Sequence, residues 1–330
     1  MRLGIIGAGM IVRDLLSTSS NLKDIEFVAI CGTEKDKEAM EEFGDKYGIE
    51  NVFYNYDELL NMDLDAIYIG LPNNLHFEFA KKALEANKNV IVEKPFTSTY
   101  KEAQILSALA KQKQLFIFEA ITNQYIPNYK KIKELLPTLG DIKIVQCNYS
   151  QYSSRYNSFK EGNVLPAFNP KFSGGALMDL NLYNVHYVVG LFGKPENVEY
   201  YPNIERGIDT SGVLILDYGK FKCVCVGAKD CKAPIANNIQ GDKGCIFQDT
   251  PANICKGFEL LMNDGTNSKI DENNYEHRMV NEFIEFANMI KNNDLERCYK
   301  ILEHSLIVSE VLTTARNKGG IIFPADKDIK

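Results

Sequence analysis

Apolar positions come in short bursts over the first 120 residues, and amphipathic stretches of helical period separate the bursts. Leu3, Ile5 and Ile6 mark a buried strand over Arg2 to Ile6, and a helix is predicted from Met10 to Ser17. Further strands are predicted at Phe27 to Cys31, Ala66 to Ile69, Asn89 to Val92 and Leu115 to Phe118. Helices are predicted at Glu34 to Tyr47, Tyr56 to Leu60, Phe77 to Ala86 and Tyr100 to Lys111. Strands alternating with helices over this length predict a doubly wound parallel sheet.

The pattern changes after about Asn123. One more helix is predicted at Tyr129 to Leu136, and alternating positions then predict strands. These are Lys143 to Ser150, Val198 to Tyr201, Val213 to Leu216, Lys222 to Val226, Ala236 to Gln240, Gly244 to Gln248 and Phe258 to Met262. Gln151 to Ser173 reads as a loop and Gly175 to Phe192 as one helix. Helices at Tyr275 to Lys291 and Leu295 to Arg316 close the chain, and residues 320–324 read as an edge strand or extended segment. The expected class is α/β. A Rossmann domain with a doubly wound parallel sheet spans residues 1–122. An α+β domain with an open, mostly antiparallel sheet spans residues 123–330, covered by helices on one face. The reading leaves open that the last helices pack back on the first domain.

At 330 residues the chain is long enough for two domains. Its 37 Lys and Arg against 44 Asp and Glu give a net charge of −7, with no basic block. Nucleic acid and anionic membranes are therefore not expected as partners. The apolar start is interrupted at Gly7, so neither a signal peptide nor a membrane span is expected there. The eight cysteines form no C-x-x-C pair, and Cys223 and Cys225 fall on one face of a predicted strand. They read as reduced, mostly core thiols of a cytoplasmic protein, without the spacing of a zinc site.

The candidate chemistry gathers at four places. Gly7-Ala8-Gly9 lies between the first strand and the helix starting at Met10 and Ile11. Gly7 permits the turn and Gly9 lets the backbone approach a pyrophosphate, which the free N–H groups of the helix start would bind. Val12 stands where such turns usually carry a third glycine or an alanine, which predicts wider helix–strand packing. Leu71-Pro72-Asn73-Asn74-Leu75-His76 follows one strand and Glu93-Lys94-Pro95 another, so both face the cleft at the carboxyl ends of the sheet. Asn74 has a simpler use as a helix cap, and Pro95 restricts Lys94 to an extended backbone. Glu119 to Tyr125, with Asn123, lies at the crossing into the second domain. Last, Gly174-Gly175-Ala176 precedes Asp179, Tyr183 and His186, which share one face of a regular helix.

In this order and spacing, Gly7-x-Gly9, Pro72-Asn73-x-x-His76, Glu93-Lys94-Pro95 and Gly174-Gly175-Ala176-x-x-Asp179-x-x-x-Tyr183 resemble the Gfo/Idh/MocA family. The closing Arg316, Gly319-Gly320-Ile321 and Pro324 extend the resemblance over nearly the whole chain. Tyr183 in place of a histidine, and Phe168-Asn169-Pro170, resemble the branch with glucose–fructose oxidoreductase, xylose dehydrogenases and dimeric dihydrodiol dehydrogenase. Gln124 departs from that branch, whose members often carry arginine there.

The resemblance implies hydride transfer between a nicotinamide and a carbinol or carbonyl of a sugar, polyol or related cyclic alcohol. It implies that Lys94 and Tyr183 act beside the nicotinamide, with Asp179 holding a substrate hydroxyl. A tyrosine serves as acid or base when a nearby ammonium stabilises its phenolate. The expected cofactor contacts are Gly7, Gly9, Met10, Ile11, Gly32, Thr33, Lys35, Leu71, Pro72, Asn73, His76, Glu93 and Lys94. Gly32 occupies the place of the acid that holds an NAD ribose, and Thr33 and Lys35 could accept a 2′-phosphate. NADP(H) is therefore favoured over NAD(H), with Glu34 as the counterargument. Asn123, Tyr152, Arg155 and His186 are candidate substrate contacts, although a packed histidine is the simpler reading of His186. The family also implies a homodimer or homotetramer through the C-terminal sheet. Two other functions remain open at this point: a dihydrodiol or dicarbonyl reductase, and a non-catalytic NAD(P)-sensing regulatory protein.

Overall fold

The computed structural model describes residues 1–328. Ile329 and Lys330, the end of the expected second domain, lie outside the described residues. The chain forms two compact units. The first comprises Met1–Ala120 and Met279–Leu306, and the second Ile121–Arg278 and Ile307–Lys330.

Unit 1 begins with β1 (Arg2–Ile6), α1 (Met10–Leu16), β2 (Glu26–Cys31) and α2 (Lys37–Tyr47). It continues through β3 (Asn51–Phe53), α3 (Tyr56–Leu60), β4 (Ala66–Ile69) and α4 (His76–Glu85), then β5 (Asn89–Glu93), α5 (Tyr100–Lys113) and β6 (Ile117–Ala120). The strands lie in the order β3-β2-β1-β4-β5-β6, all parallel. This is the order of a dinucleotide-binding sheet, with its switch point between β1 and β4. Continuous apolar strands such as Ala66–Ile69 are buried on both faces, as a sheet covered by helices requires. β6 starts two residues later than the apolar run suggests, because the Phe116 N–H donates to the Asn89 side chain and pairing with β5 begins at Ile117. β3 was not expected, since its three half-buried residues carry no apolar run.

Unit 2 has α6 (Pro127–Leu135), β7 (Ile142–Ser150), α7 (Tyr156–Lys160) and α8 (Leu182–Phe192). Then come β8 (Asn197–Glu205), β9 (Ile208–Asp217), β10 (Lys222–Ala228), β11 (Asn237–Gly241), β12 (Gly244–Gln248), β13 (Phe258–Met262) and β14 (Asn267–Ile270). They build one sheet in the order β14-β13-β12-β11-β7-β10-β9-β8. Among the described strands of this sheet only the β7–β10 pair is parallel. β14 was missed because its four residues are mostly polar and exposed. On one face Val145, Cys147, Leu214, Leu216, Cys223 and Cys225 enter a single core with Leu182, Val185 and Val189 of α8. The predicted pairing of Cys223 and Cys225 on one strand face is what the structure shows, and both are free thiols.

Two further expectations change, and of the two alternatives for residues 320–324 the extended segment holds. The stretch 151–173 is ordered by α7 and by two short 3₁₀ turns at Pro166–Phe168 and Pro170–Phe172. The rings of Phe159 and Phe168 stack at 4.9 Å, and Arg206 donates to the carbonyls of Phe159 and Lys160 at the end of α7. α9 (Val280–Lys291) begins five residues later than its pattern suggested, and packs on unit 1 through Phe286 stacked on Phe118 at 4.5 Å. α10 (Leu295–Lys318) is followed by an extended segment outside the sheet and by α11 (Ala325–Asp328). Ile321 and Phe323 are buried, and the fully buried Arg316 lies over the Phe323 ring and pairs with both carboxylate oxygens of Asp326.

Candidate functional site

In unit 1 the candidate residues gather at the ends of β1, β2, β4 and β5. Gly7 takes φ +105°, and its N–H donates to the Cys31 carbonyl at 2.8 Å. A side chain at Gly7 would also run into the carbonyl of Gly70. Gly9 precedes α1 with an extended backbone, and α1 has no side-chain cap. Nothing stands within 4 Å of where a Cβ on Gly9 would sit, so the turn presents open backbone to a ligand. Met10, 75% exposed, and the half-buried Ile11 flank this opening. Val12 is fully buried, and its Cγ2 lies 2.7 Å from where a Cβ on Gly70 would be. The missing glycine of α1 is thus compensated across the sheet: Gly70 at the end of β4 makes the room that Val12 uses.

At the end of β2 a side chain on Gly32 would crowd Met40 and Asp36. Thr33, Glu34 and Lys35 are exposed. Thr33 donates its N–H and its hydroxyl to Asp36 Oδ2, at 2.9 and 2.7 Å. Asp36 was not singled out in the sequence, yet it is the carboxylate beside Gly32, and it is turned onto the Thr33 cap.

Leu71, Pro72 and Asn73 follow β4, with residues 73–75 in a 3₁₀ turn. Asn74 does not cap α4, whose start has no side-chain cap. His76 is fully buried at the first position of α4. Its Nδ1 lies 2.8 Å from the Pro95 carbonyl and its Nε2 2.9 Å from the Leu71 carbonyl. Burial pushes its pKa below the ordinary histidine value, against the two carbonyls, which favour the proton. His76 therefore ties the loop after β4 to the turn after β5. In that turn Glu93 is buried and accepts from the Tyr68 hydroxyl at 2.7 Å and from the Lys94 N–H at 3.2 Å. Lys94 is half-buried and joins Pro95 through a cis peptide bond. The Phe96 N–H donates to the buried Glu119.

In unit 2 the regular helix expected over 175–192 is interrupted. Leu177–Asn181 is a π turn, and α8 proper starts at Leu182. Asp179 is consequently out of phase with the α-helical face shared by Tyr183 and His186. It is 32% exposed and accepts from Lys229 at 2.6 Å, whereas Tyr183 is 6% exposed and His186 is fully buried. The Tyr183 ring faces Tyr149 at 6.0 Å. The turn is anchored at its start by Asp209, which accepts from the Leu177 N–H at 2.6 Å and the Tyr200 hydroxyl at 2.7 Å. Burial raises the Asp209 pKa to about 6, opposed by those hydrogen bonds and by the charge of Lys229. Gly175, at φ +108°, leaves no room for a Cβ beside Asp209.

Asn123 is fully buried and donates to the Tyr183 carbonyl at 3.1 Å, and Gln124 donates to the His186 carbonyl at 3.0 Å. Both staple the backbone of α8. Tyr152 is exposed and donates to Asn157, and the exposed Arg155 precedes α7. Lys229 and Asp209 escaped sequence reading. Lys229 directly follows the buried Gly227-Ala228 end of β10, but its partner lies 50 positions away. Among the described residues no group of His, Cys, Asp and Glu side chains is arranged to hold a metal ion, and no helix is long and apolar enough to cross a membrane.

A sheet with this strand order and a glycine turn after its first strand is a dinucleotide-binding architecture, and the comparisons agree. The model of the oxidoreductase family with an NAD-binding Rossmann fold, Gfo/Idh/MocA, matches residues 1–120. The scyllo-inositol 2-dehydrogenase (NADP(+)) of Bacillus subtilis is 33% identical over 329 residues, covering 99% of each chain. The chain belongs to the Gfo/Idh/MocA family and is an NAD(P)-dependent oxidoreductase. The trans-1,2-dihydrobenzene-1,2-diol dehydrogenase of Xenopus tropicalis is 29% identical over 275 residues, which are 81% of this chain and 80% of that one. A 3-ketoreductase from Actinomadura kijaniata, crystallised with NADP and TDP-benzene, shares the fold with a TM-score of 0.81. It is 21% identical, and the match covers 96% of this chain and 97% of that one.

Proposed function

We propose that the protein is an NADP-dependent dehydrogenase of a polyol, sugar or related cyclic alcohol. The observation that carries this reading is the end-to-end similarity to an NADP(+)-dependent scyllo-inositol 2-dehydrogenase. The open backbone at Gly9 fits a dinucleotide pyrophosphate, held by Gly7, Gly9 and the α1 start at Met10 and Ile11. With no carboxylate possible at Gly32 and Asp36 held by Thr33, the exposed Thr33 and Lys35 suit a 2′-phosphate. Leu71, Pro72, Asn73 and Glu93 lie at the carboxyl ends of β4 and β5, where ligands of such sheets bind, and His76 fixes that loop.

When bound, the nicotinamide supplies the hydride donor or acceptor. The chain's residues supply the rest. Tyr183 takes the carbinol proton during oxidation and returns it during reduction. Lys94 places positive charge by the oxygen that becomes an alkoxide. Asp179 accepts a hydrogen bond from a neighbouring substrate hydroxyl. Asn123 and the buried His186 shape the α8 backbone around Tyr183, while Tyr152 and Arg155 are rim contacts. A second reading, oxidation of a dihydrodiol, is favoured by the similarity to the Xenopus tropicalis enzyme.

We assign the open face of the second sheet to self-association, as a homodimer or homotetramer. Tyr201, Val213 and Ile144 are exposed there, and Tyr201 pairs directly with Val213 across the β8–β9 ladder. The free cysteines support a cytoplasmic location.

The test is substitution of Lys94 by Ala and Tyr183 by Phe. Each should lower turnover by about 100-fold or more, the scale of a lost acid–base or charge contribution. NADPH binding, followed by nicotinamide fluorescence, should stay measurable. Unchanged turnover in either variant would overturn its role.

A further inference from the structure

The π turn lies at a charge pair, Lys229–Asp179, whose lysine the reaction scheme above leaves unused. Lys229 follows β10, and its side chain is 3% exposed. Its ammonium donates to Asp179 Oδ2 at 2.6 Å and to the Ala167 carbonyl at 2.7 Å, and it lies 4.6 Å from the centre of the Phe168 ring. The lysine backbone is fixed as well, because its N–H donates to the Thr210 carbonyl at 2.8 Å. β10 approaches the turn so closely that a Cβ on Gly227 would strike Asn181.

A buried ammonium held by a carboxylate, a carbonyl and an aromatic face has lost its solvation and gained three fixed partners. Its partners come from the end of a strand, a 3₁₀ turn and a π turn. The partner carboxylate belongs to a residue one-third exposed. One π turn, a feature frequent at functional sites, puts that residue out of register with the helix that follows. We propose that Lys229 is a positioning residue for the substrate: it pins Asp179 through Oδ2 and thereby sets the direction in which Asp179 receives a substrate hydroxyl.

This rests on the proposed role of Asp179 as a hydroxyl acceptor, and it makes a separate claim. Asp179 without Lys229 keeps its carboxylate but loses the anchor on Oδ2. Discrimination among polyol stereoisomers then falls, because isomers differ in the direction of one hydroxyl. Lysine is suited to this as a compact point charge that fits between Phe168 and Asp179, and Arg keeps the charge with a different reach.

The experiment is steady-state oxidation of scyllo-inositol, myo-inositol and D-xylose with NADP+, by wild type, Lys229→Met, Lys229→Arg, Asp179→Asn and the double variant Lys229→Met/Asp179→Asn. NADPH binding serves as the control for folding. Lys229→Met should raise KM for the preferred substrate about ten-fold or more, the scale of a misplaced charge-assisted hydrogen bond. It should leave kcat within about three-fold, since it touches no reacting atom. Preference among the three substrates should narrow, Lys229→Arg should recover part of the lost KM, and the double variant should be no worse than Asp179→Asn alone.

A wild-type KM in Lys229→Met, or full additivity in the double variant, would overturn the proposal while leaving the role of Asp179 standing. An unchanged KM in Asp179→Asn would instead overturn the hydroxyl-acceptor reading, and this proposal with it. Loss of NADPH binding in both Lys229 variants would mark the lysine as a folding residue and also overturn it.

Discussion

Val12 and Gly70 show how a departure from a motif is absorbed by a single distant residue. The sequence predicted wider packing at Val12, and the buried side chain takes the space left where Gly70 has no Cβ. Gly70→Ala should destabilise the protein by about 1–3 kcal/mol, as overpacking does. Val12→Ala in the same background should restore most of it, as read by chemical denaturation of the single and double variants. His76 gives a second expectation at this scale. Replacing it with Leu removes the imidazole set between the Pro95 and Leu71 carbonyls and leaves one of them without the single N–H that a neutral ring donates, a cost of about 1–3 kcal/mol. NADPH should bind more weakly to that variant, because the loop after β4 is no longer tied to the turn after β5. The turn at Gly7 and Gly9 was legible because it follows from local order along the chain, whereas the roles proposed for Lys94, Asp179 and Tyr183 come from resemblance. Lys229 and Asp209 were not legible, because their importance comes from partners tens of positions away.

Among elements, the parallel unit was read with its strands nearly in place, since buried strands carry unbroken apolar runs. The edge strands β3 and β14 were missed for the converse reason. The π turn at Leu177–Asn181 was hidden because a π turn and an α-helix share the same apolar pattern over one turn. Its anchor gives a pH prediction. The Asp209 carboxyl has its pKa raised to about 6 from an ordinary 3.8 by burial, against help from Tyr200, the Leu177 N–H and Lys229. The folded state then holds the proton more tightly than the unfolded chain. The stability it contributes is complete below the unfolded pKa and is lost as pH rises through about 6. Asp209→Asn keeps an acceptor for Leu177 and removes the titration. The wild type's advantage over this variant should therefore shrink by about 2 kcal/mol between pH 4 and pH 7, taking about 1.4 kcal/mol per pKa unit. Urea unfolding of both proteins across that range measures it, and parallel pH curves would contradict it.

For the molecule as a whole, the second sheet exposes Ile144, Tyr201 and Val213 on one face. Placing Lys at Tyr201 and Val213 together should convert a dimer or tetramer to monomers of 37.3 kDa in light scattering after size exclusion. An unchanged mass would move the interface elsewhere. The central claim concerns hydride transfer with NADP, and one measurement reaches it most directly. Purified protein is given scyllo-inositol, myo-inositol, D-xylose and a trans-dihydrodiol with NADP+ or NAD+, and nicotinamide absorbance is followed. The account predicts turnover of a polyol or sugar, with kcat/KM about ten-fold or more higher for NADP+, as loss of contacts to one phosphate would give. Preference for NAD+ would contradict the reading of Gly32, Thr33 and Lys35. Cofactor binding without turnover of any of the four substrates would contradict the assignment of Lys94, Asp179 and Tyr183 to alcohol oxidation.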